Sequence, residues 1–232
     1  MKPVPRFRGP SLIALALVHI LVFAAGLVSA GILRHGAGYV TPFAPAEEVR
    51  LFFAQSPQAV RVSSLFLFGS AVPLGIFAVT VVSLLRFLGV RAAGTDIAFF
   101  GGLAASISVF LSGIATWILS VPEVSLSAPL AKAFSFLSFL CGGMFFAVGF
   151  GLFTAGVSVT SYFTRVLPRW LAAWGILLAI AGELSWLSLV SYPANFFIPI
   201  TRYVGFIWMI LASIALTSRS RMVRAEPVAG SA

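Results

Sequence analysis

Residues 65–85 read LFLFGSAVPLGIFAVTVVSLL, a run without one ionisable side chain. A membrane-spanning helix needs roughly 20 predominantly apolar residues. In hydrocarbon no water serves the backbone, so only helices and closed barrels can cross. The run lacks the apolar–polar alternation of a barrel strand and therefore predicts a helix. Reading outward from it, comparable segments lie at about 11–33, 60–85, 97–120, 133–160, 170–190 and 198–217. The fourth is long enough to require tilt or extension beyond the bilayer. The expected fold class is all-α, a six-helix transmembrane bundle.

Composition leads to the same class. The 232 residues are 60% hydrophobic and 9% charged, with 23 phenylalanines. A soluble domain carries about 25% charged residues. The segments and short loops use nearly the whole chain, so one domain over 1–218 is expected, followed by a basic tail, 219–232, that should fray.

The formal net charge is +9. The basic residues cluster at segment ends, which suits membrane orientation and lipid headgroups rather than nucleic acid. With the N-terminus inside, Lys2, Arg6, Arg8, Arg86, Arg91, Arg165, Arg169, Arg219, Arg221 and Arg224 are cytoplasmic. Arg34, Arg50, Arg61, Lys132 and Arg202 are external. Ten against five predicts that both termini are cytoplasmic. Lys2, Arg6 and Arg8, with Val28-Ser29-Ala30, resemble the ends of a signal peptide. The apolar run between them exceeds the usual h-region of roughly 7–15 residues, so a retained helix is expected.

The first external loop, 34–59, contains a short amphipathic helix around Pro45–Phe53. Glu47 and Glu48 near its start suit the helix dipole. Leu51, Phe52 and Phe53 would either rest on the membrane or cap the bundle's outer mouth. Gly75-Ile76-Phe77 and Gly151-Leu152-Phe153 form a faint repeat. Pro73 predicts a kink in the second span.

Three stretches resemble a family of bacterial polytopic inner-membrane proteins classed as a domain of unknown function. They are FGSAVPLGIFAVTVVSLLRFLGVRAAG at 68–94, LSGIATWILSVPEV at 111–124 and LPRWLAAWGILLAIAGELSWLSL at 167–189. The resemblance covers about 45–217. It implies a bacterial cytoplasmic membrane and brings no catalytic residues with it.

Small residues at four-residue spacing mark helix-packing faces. They are Ala104, Ser108, Ser112, Thr116 and Ser120; Gly143, Ala147, Gly151 and Ala155; and Gly175, Ala179 and Glu183. The hydroxyls of the first stripe would either line a polar channel or bond back to their own helix. Glu183 ionises inside a span, where charge is costly. Arg202 enters the returning sixth span at similar depth. A Glu183–Arg202 link is expected, either stapling the last two helices or receiving a ligand; a protonated Glu183 bonded to a serine or carbonyl is the third possibility. Trp186 and Tyr203 would line an outer pocket around the pair. His19 shares a face with Ala16, Gly26 and Ala30 and should look inward, as a neutral packed histidine, a proton relay or a metal ligand. His35 would lie outside. Trp117, Trp170, Trp174, Trp186 and Trp208, with Tyr192 and Tyr203, lie mostly near span ends and suggest interfacial anchors.

The single cysteine, Cys141, excludes an internal disulfide, and the sequence has no Cys/His metal spacing. It shows no nucleophile–base set and no phosphate loop. No catalytic residue, metal or cofactor is therefore assigned. The expected function is non-catalytic binding or passage of a small amphiphilic or lipid-like ligand in the outer half. The alternative is an accessory or scaffold subunit with a membrane-protein partner or a second copy of itself; membrane lipids are partners in either case.

Overall fold

The computed structural model describes residues 7–34 and 38–225, and the side chains up to residue 220. His35, Lys2, Arg6 and residues 226–232 of the tail lie outside the described residues. Among the described residues every regular element is helical. Six helices are long and apolar enough to cross a membrane.

The first spanning helix, α1, covers Leu12–Leu33; Ser11 caps it by accepting from Ala14 N at 3.3 Å. A shorter helix, α2, follows at Ala46–Gln55. The next spans are α3, Pro57–Phe87, and α4, Ala93–Ile118. After a helical turn at Pro122–Ser125 come α5, Ala128–Thr164, α6, Arg169–Leu189, and α7, Tyr192–Ser220. Each spanning helix packs on the next in sequence, and α7 returns to α1. Short connections make these neighbours antiparallel, so α2 lies at the end where α1 finishes and α3 begins.

Regular α-helix is interrupted twice by π-helical turns. One is Cys141–Phe145 within α5, and the other is Ile200–Val204 within α7. The first contains Gly142 and Gly143, poor helix formers. The second follows Pro199, which has no N–H to donate. α6 also tightens, from α-helix into a 3₁₀ turn at Ser185–Leu189. α5 ends on Arg165, in the left-handed region at φ 57°. That conformation at a helix C-terminus turns the chain sharply.

α4 and α5 touch through backbone. A Cβ on Gly149 would lie 2.6 Å from Ala105 N, and one on Gly101 would lie 2.6 Å from Leu152 Cβ. The other small face of α5 meets α6: a Cβ on Gly182 would lie 2.6 Å from Ala147 O and 2.8 Å from Gly151 Cα. So Ala147 and Gly151 pack as their spacing suggested. On α4 the close-packing residues are Gly101 and Ala105, one position away from the expected stripe.

Aromatic rings fill the centre. Phe77 and Phe153, the last residues of the faint repeat, meet with ring centroids 5.9 Å apart. Trp208 is 1% exposed and donates its indole N–H to Leu171 O at 3.1 Å. It is a core residue, which corrects its reading as an interfacial anchor. α3 continues through Pro73. In the turn before that proline, Ser70 O accepts from His19 Nδ1 at 2.8 Å and Ala71 O accepts from Ser106 Oγ at 2.8 Å. Two neighbouring helices are thus pinned to α3 where its own ladder loses a donor.

Candidate functional site

At the α2 end the bundle holds a partly open cavity of about 370 Å³. Drug-sized ligand pockets span roughly 300–1,000 Å³. Its lining reaches from Arg34, Tyr39 and Phe52 to Phe23, Gly142 and Arg202. The walls are largely apolar, supplied by α1, α3 and α4 among others.

α2 closes this end. Val49 and Phe53 are buried and pack with Val60, Leu119 and Ala131. Phe52 and Phe53 both line the cavity. The helix therefore seats its apolar face on the bundle, as a cap does. Lys132 Nζ donates to Ala44 O at 2.9 Å, holding the approach to the cap against α5. On the exposed side Arg50 Nε donates to Glu47 at 2.8 Å. That bond holds the Glu47 carboxyl below its ordinary value; desolvation opposes it, and the guanidinium charge adds to it.

One wall is hydroxylated. Ser112 Oγ donates to Ser138 O at 2.9 Å, and Thr116 Oγ1 lies 2.7 Å from Ser138 Oγ. Thr116 also donates to Ser112 O at 2.8 Å. Ser112 and Thr116 line the cavity with Ser135 and Ser138. Ser108 does not; it donates to Ala105 O of its own helix at 2.6 Å. The polar stripe of α4 therefore divides between a cavity wall and a back-bonded packing residue. Ser135 is 2% exposed, and its Oγ has no hydrogen-bond partner.

Arg202 stands in the π turn of α7. Its Nη2 donates to Gly142 O, in the π turn of α5. The widened turn makes that acceptor available. Phe146 N–H bonds Cys141 O and Gly143 O, passing over Gly142 O. The guanidinium carbon lies 4.2 Å from the Phe146 ring centroid and 4.9 Å from that of Phe23. Such contacts favour the cation through the ring quadrupole. Arg202 Nε is buried without an acceptor.

The expected Glu183–Arg202 link is not formed. Among the described residues the ion pairs are Arg50–Glu47 and Arg86–Asp96. Glu183 turns to α5, where its Oε1 would lie 3.2 Å from a Cβ on Gly151. That oxygen is buried without a partner. The two residues stand at similar depth, but depth does not fix direction: the π turn carries Arg202 toward Gly142, and the Gly151–Gly182 contact leaves room for Glu183 against α5. Of the four proposed pocket residues, the cavity contains Arg202 and Tyr203. Glu183 and Trp186 do not line it, and Trp186 is 53% exposed.

His19 faces inward with Ala16, Gly26 and Ala30. Its Nδ1 carries the proton given to Ser70 O, so a neutral ring leaves Nε2 as an acceptor; that atom is buried without a partner. The ring meets Phe206 edge-on at 5.5 Å, and Phe206 meets Phe23 at 5.6 Å. His19 is thereby joined through packed aromatics to the floor of the cavity.

Sequence reasoning missed Ser135, Ser138, Gly142 and Arg34. Paired glycines inside an apolar run, with two serines three apart one turn earlier, were the available signal. No family model, no curated protein and no solved structure matches this chain.

Proposed function

We propose that this protein binds a small amphiphilic or lipid-like ligand in the outer half of a bacterial cytoplasmic-membrane bundle, without performing chemistry on it. The observation that carries this reading is the cavity itself. It joins apolar walls to a hydroxyl cluster and a guanidinium, the combination of many hydrophobic and few fixed polar groups typical of ligand sites. The charge bias of the loops supports placing the α2 end outside and both termini inside.

The scaffold-subunit reading has less support. A solid bundle or an exposed small-residue face on α5 would favour it, whereas the bundle holds a cavity and Gly149 and Gly151 are used against α4 and α6. The test is purification in mild detergent or nanodiscs, followed by mass spectrometry of co-purifying small molecules. A bound amphiphile should appear with the wild type and disappear in Ala30→Trp, which fills the cavity. An identical small-molecule profile in both would sink the reading.

A further inference from the structure

We infer that the ligand of this cavity is a single-chain amphiphile with one negative charge, of the fatty-acid carboxylate class, seated on the Arg202 guanidinium. The inference rests on the ligand-binding reading above and adds the sign and number of charges.

Two observations lead to it. First, Arg202 is a cation without a counter-ion among the described residues. Among those residues its only hydrogen bond is to Gly142 O, its other neighbours include the faces of Phe23 and Phe146, and its Nε has no acceptor. A buried charge without a partner is costly, and an anion offsets that cost by taking the free donor. Second, among the described residues the cavity lining contains no carboxylate, so an anion would meet no like charge from them.

The number of charges follows from spacing. The other cation of the lining, Arg34, lies eleven residues along α1 from Phe23, the ring that Arg202 covers. At 1.5 Å per residue that is roughly 16 Å. One small headgroup therefore meets one guanidinium. A dianion on Arg202 would keep one charge uncompensated, and a cationic headgroup would be repelled. The apolar side chains of α1 and α3 along the cavity supply the surface for one hydrocarbon chain.

The test compares matched probes with the wild-type full chain in nanodiscs of uncharged lipid, by titration calorimetry or native mass spectrometry at pH 8. The probes are tetradecanoate, tetradecanol and tetradecyl phosphate. Tetradecanoate should bind at least tenfold more tightly than the alcohol and more tightly than the phosphate. Arg202→Gln should abolish the preference over the alcohol, and Arg202→Lys should retain part of it. Equal binding of carboxylate and alcohol would overturn the anion assignment while leaving the cavity reading in place. Tighter binding of the phosphate would overturn the single charge. If no probe bound, both readings would fall. The probe comparison needs no variant, so a misfolded Arg202→Gln does not weaken the test.

Discussion

Arg202 and Gly142, sixty residues apart, are joined by a hydrogen bond that runs from one π-helical turn to another. Each turn is a local departure from the α-helix, and each makes sense only with the other. The α5 turn leaves a carbonyl available, and the α7 turn brings a guanidinium to it. π turns recur at functional sites in helices. Gly142→Ala should therefore be poorly tolerated. Its Cβ would meet Ser112 Oγ and push that hydroxyl from Ser138. Overpacking of this kind costs typically 1–3 kcal/mol. Thermal unfolding in detergent should show the loss, together with reduced retention of the co-purifying ligand.

Glu183 should behave in the opposite way. Its Oε1 is orphaned, and it stands outside the cavity. Leaving a buried polar atom unsatisfied costs roughly 1–3 kcal/mol. Glu183→Met, similar in volume and without the oxygens, should raise the unfolding temperature by a corresponding amount and leave ligand retention unchanged. Loss of the ligand in this variant would show that Glu183 belongs to the site.

His19→Ala should destabilise by about 2–4 kcal/mol, from the cavity left behind and the lost bond to Ser70. His19→Phe should recover the packing part only. Comparing both unfolding temperatures with the wild type separates the two contributions.

Gly149→Ala should be among the most damaging single-methyl additions. The new Cβ faces the backbone nitrogen of Ala105, which cannot swing aside as a side chain can. A cost at or above the upper end of the usual 1–3 kcal/mol for overpacking is expected. The yield of folded monodisperse protein in detergent would reveal it.

The cap should loosen in acid. Glu47 is held below its ordinary carboxyl value by Arg50, so its contribution is complete above the unfolded value and is lost as pH falls through the lower folded value. The pair is exposed, so the effect is small and salt-sensitive. A spin label at the exposed Leu51 should gain mobility below that point in the wild type. In Glu47→Gln its mobility should be independent of pH over the same range.

The spans were legible because hydrophobic length alone specifies them. The structure keeps all six, with ends shifted by a few residues. Packing partners were legible where small residues touch, as at Ala147, Gly151 and Ala179. Depth along a helix was also readable, and it led to the Glu183–Arg202 pair. Direction around the helix axis was not readable. Each π turn adds a residue per turn and rotates everything beyond it, and no four-residue spacing announces that. Arg202 therefore came to Gly142 and left Glu183 to α5. The hydroxyls of Ser112 and Ser108 look alike in sequence. Only the position of α5 makes one a cavity wall and the other a packing residue.

The tryptophans supply an optical gauge already built into the chain. Trp117, Trp170 and Trp186 are each more than half exposed, whereas Trp208 is sealed in the core against Leu171 and Phe153. Brominated acyl chains should darken the outer three and spare Trp208. The residual emission then comes from Trp208 and from the partly buried Trp174, and Trp174→Phe leaves the interior reporter alone. A change in that emission on adding ligand would register a movement of α7 against α6 without any label.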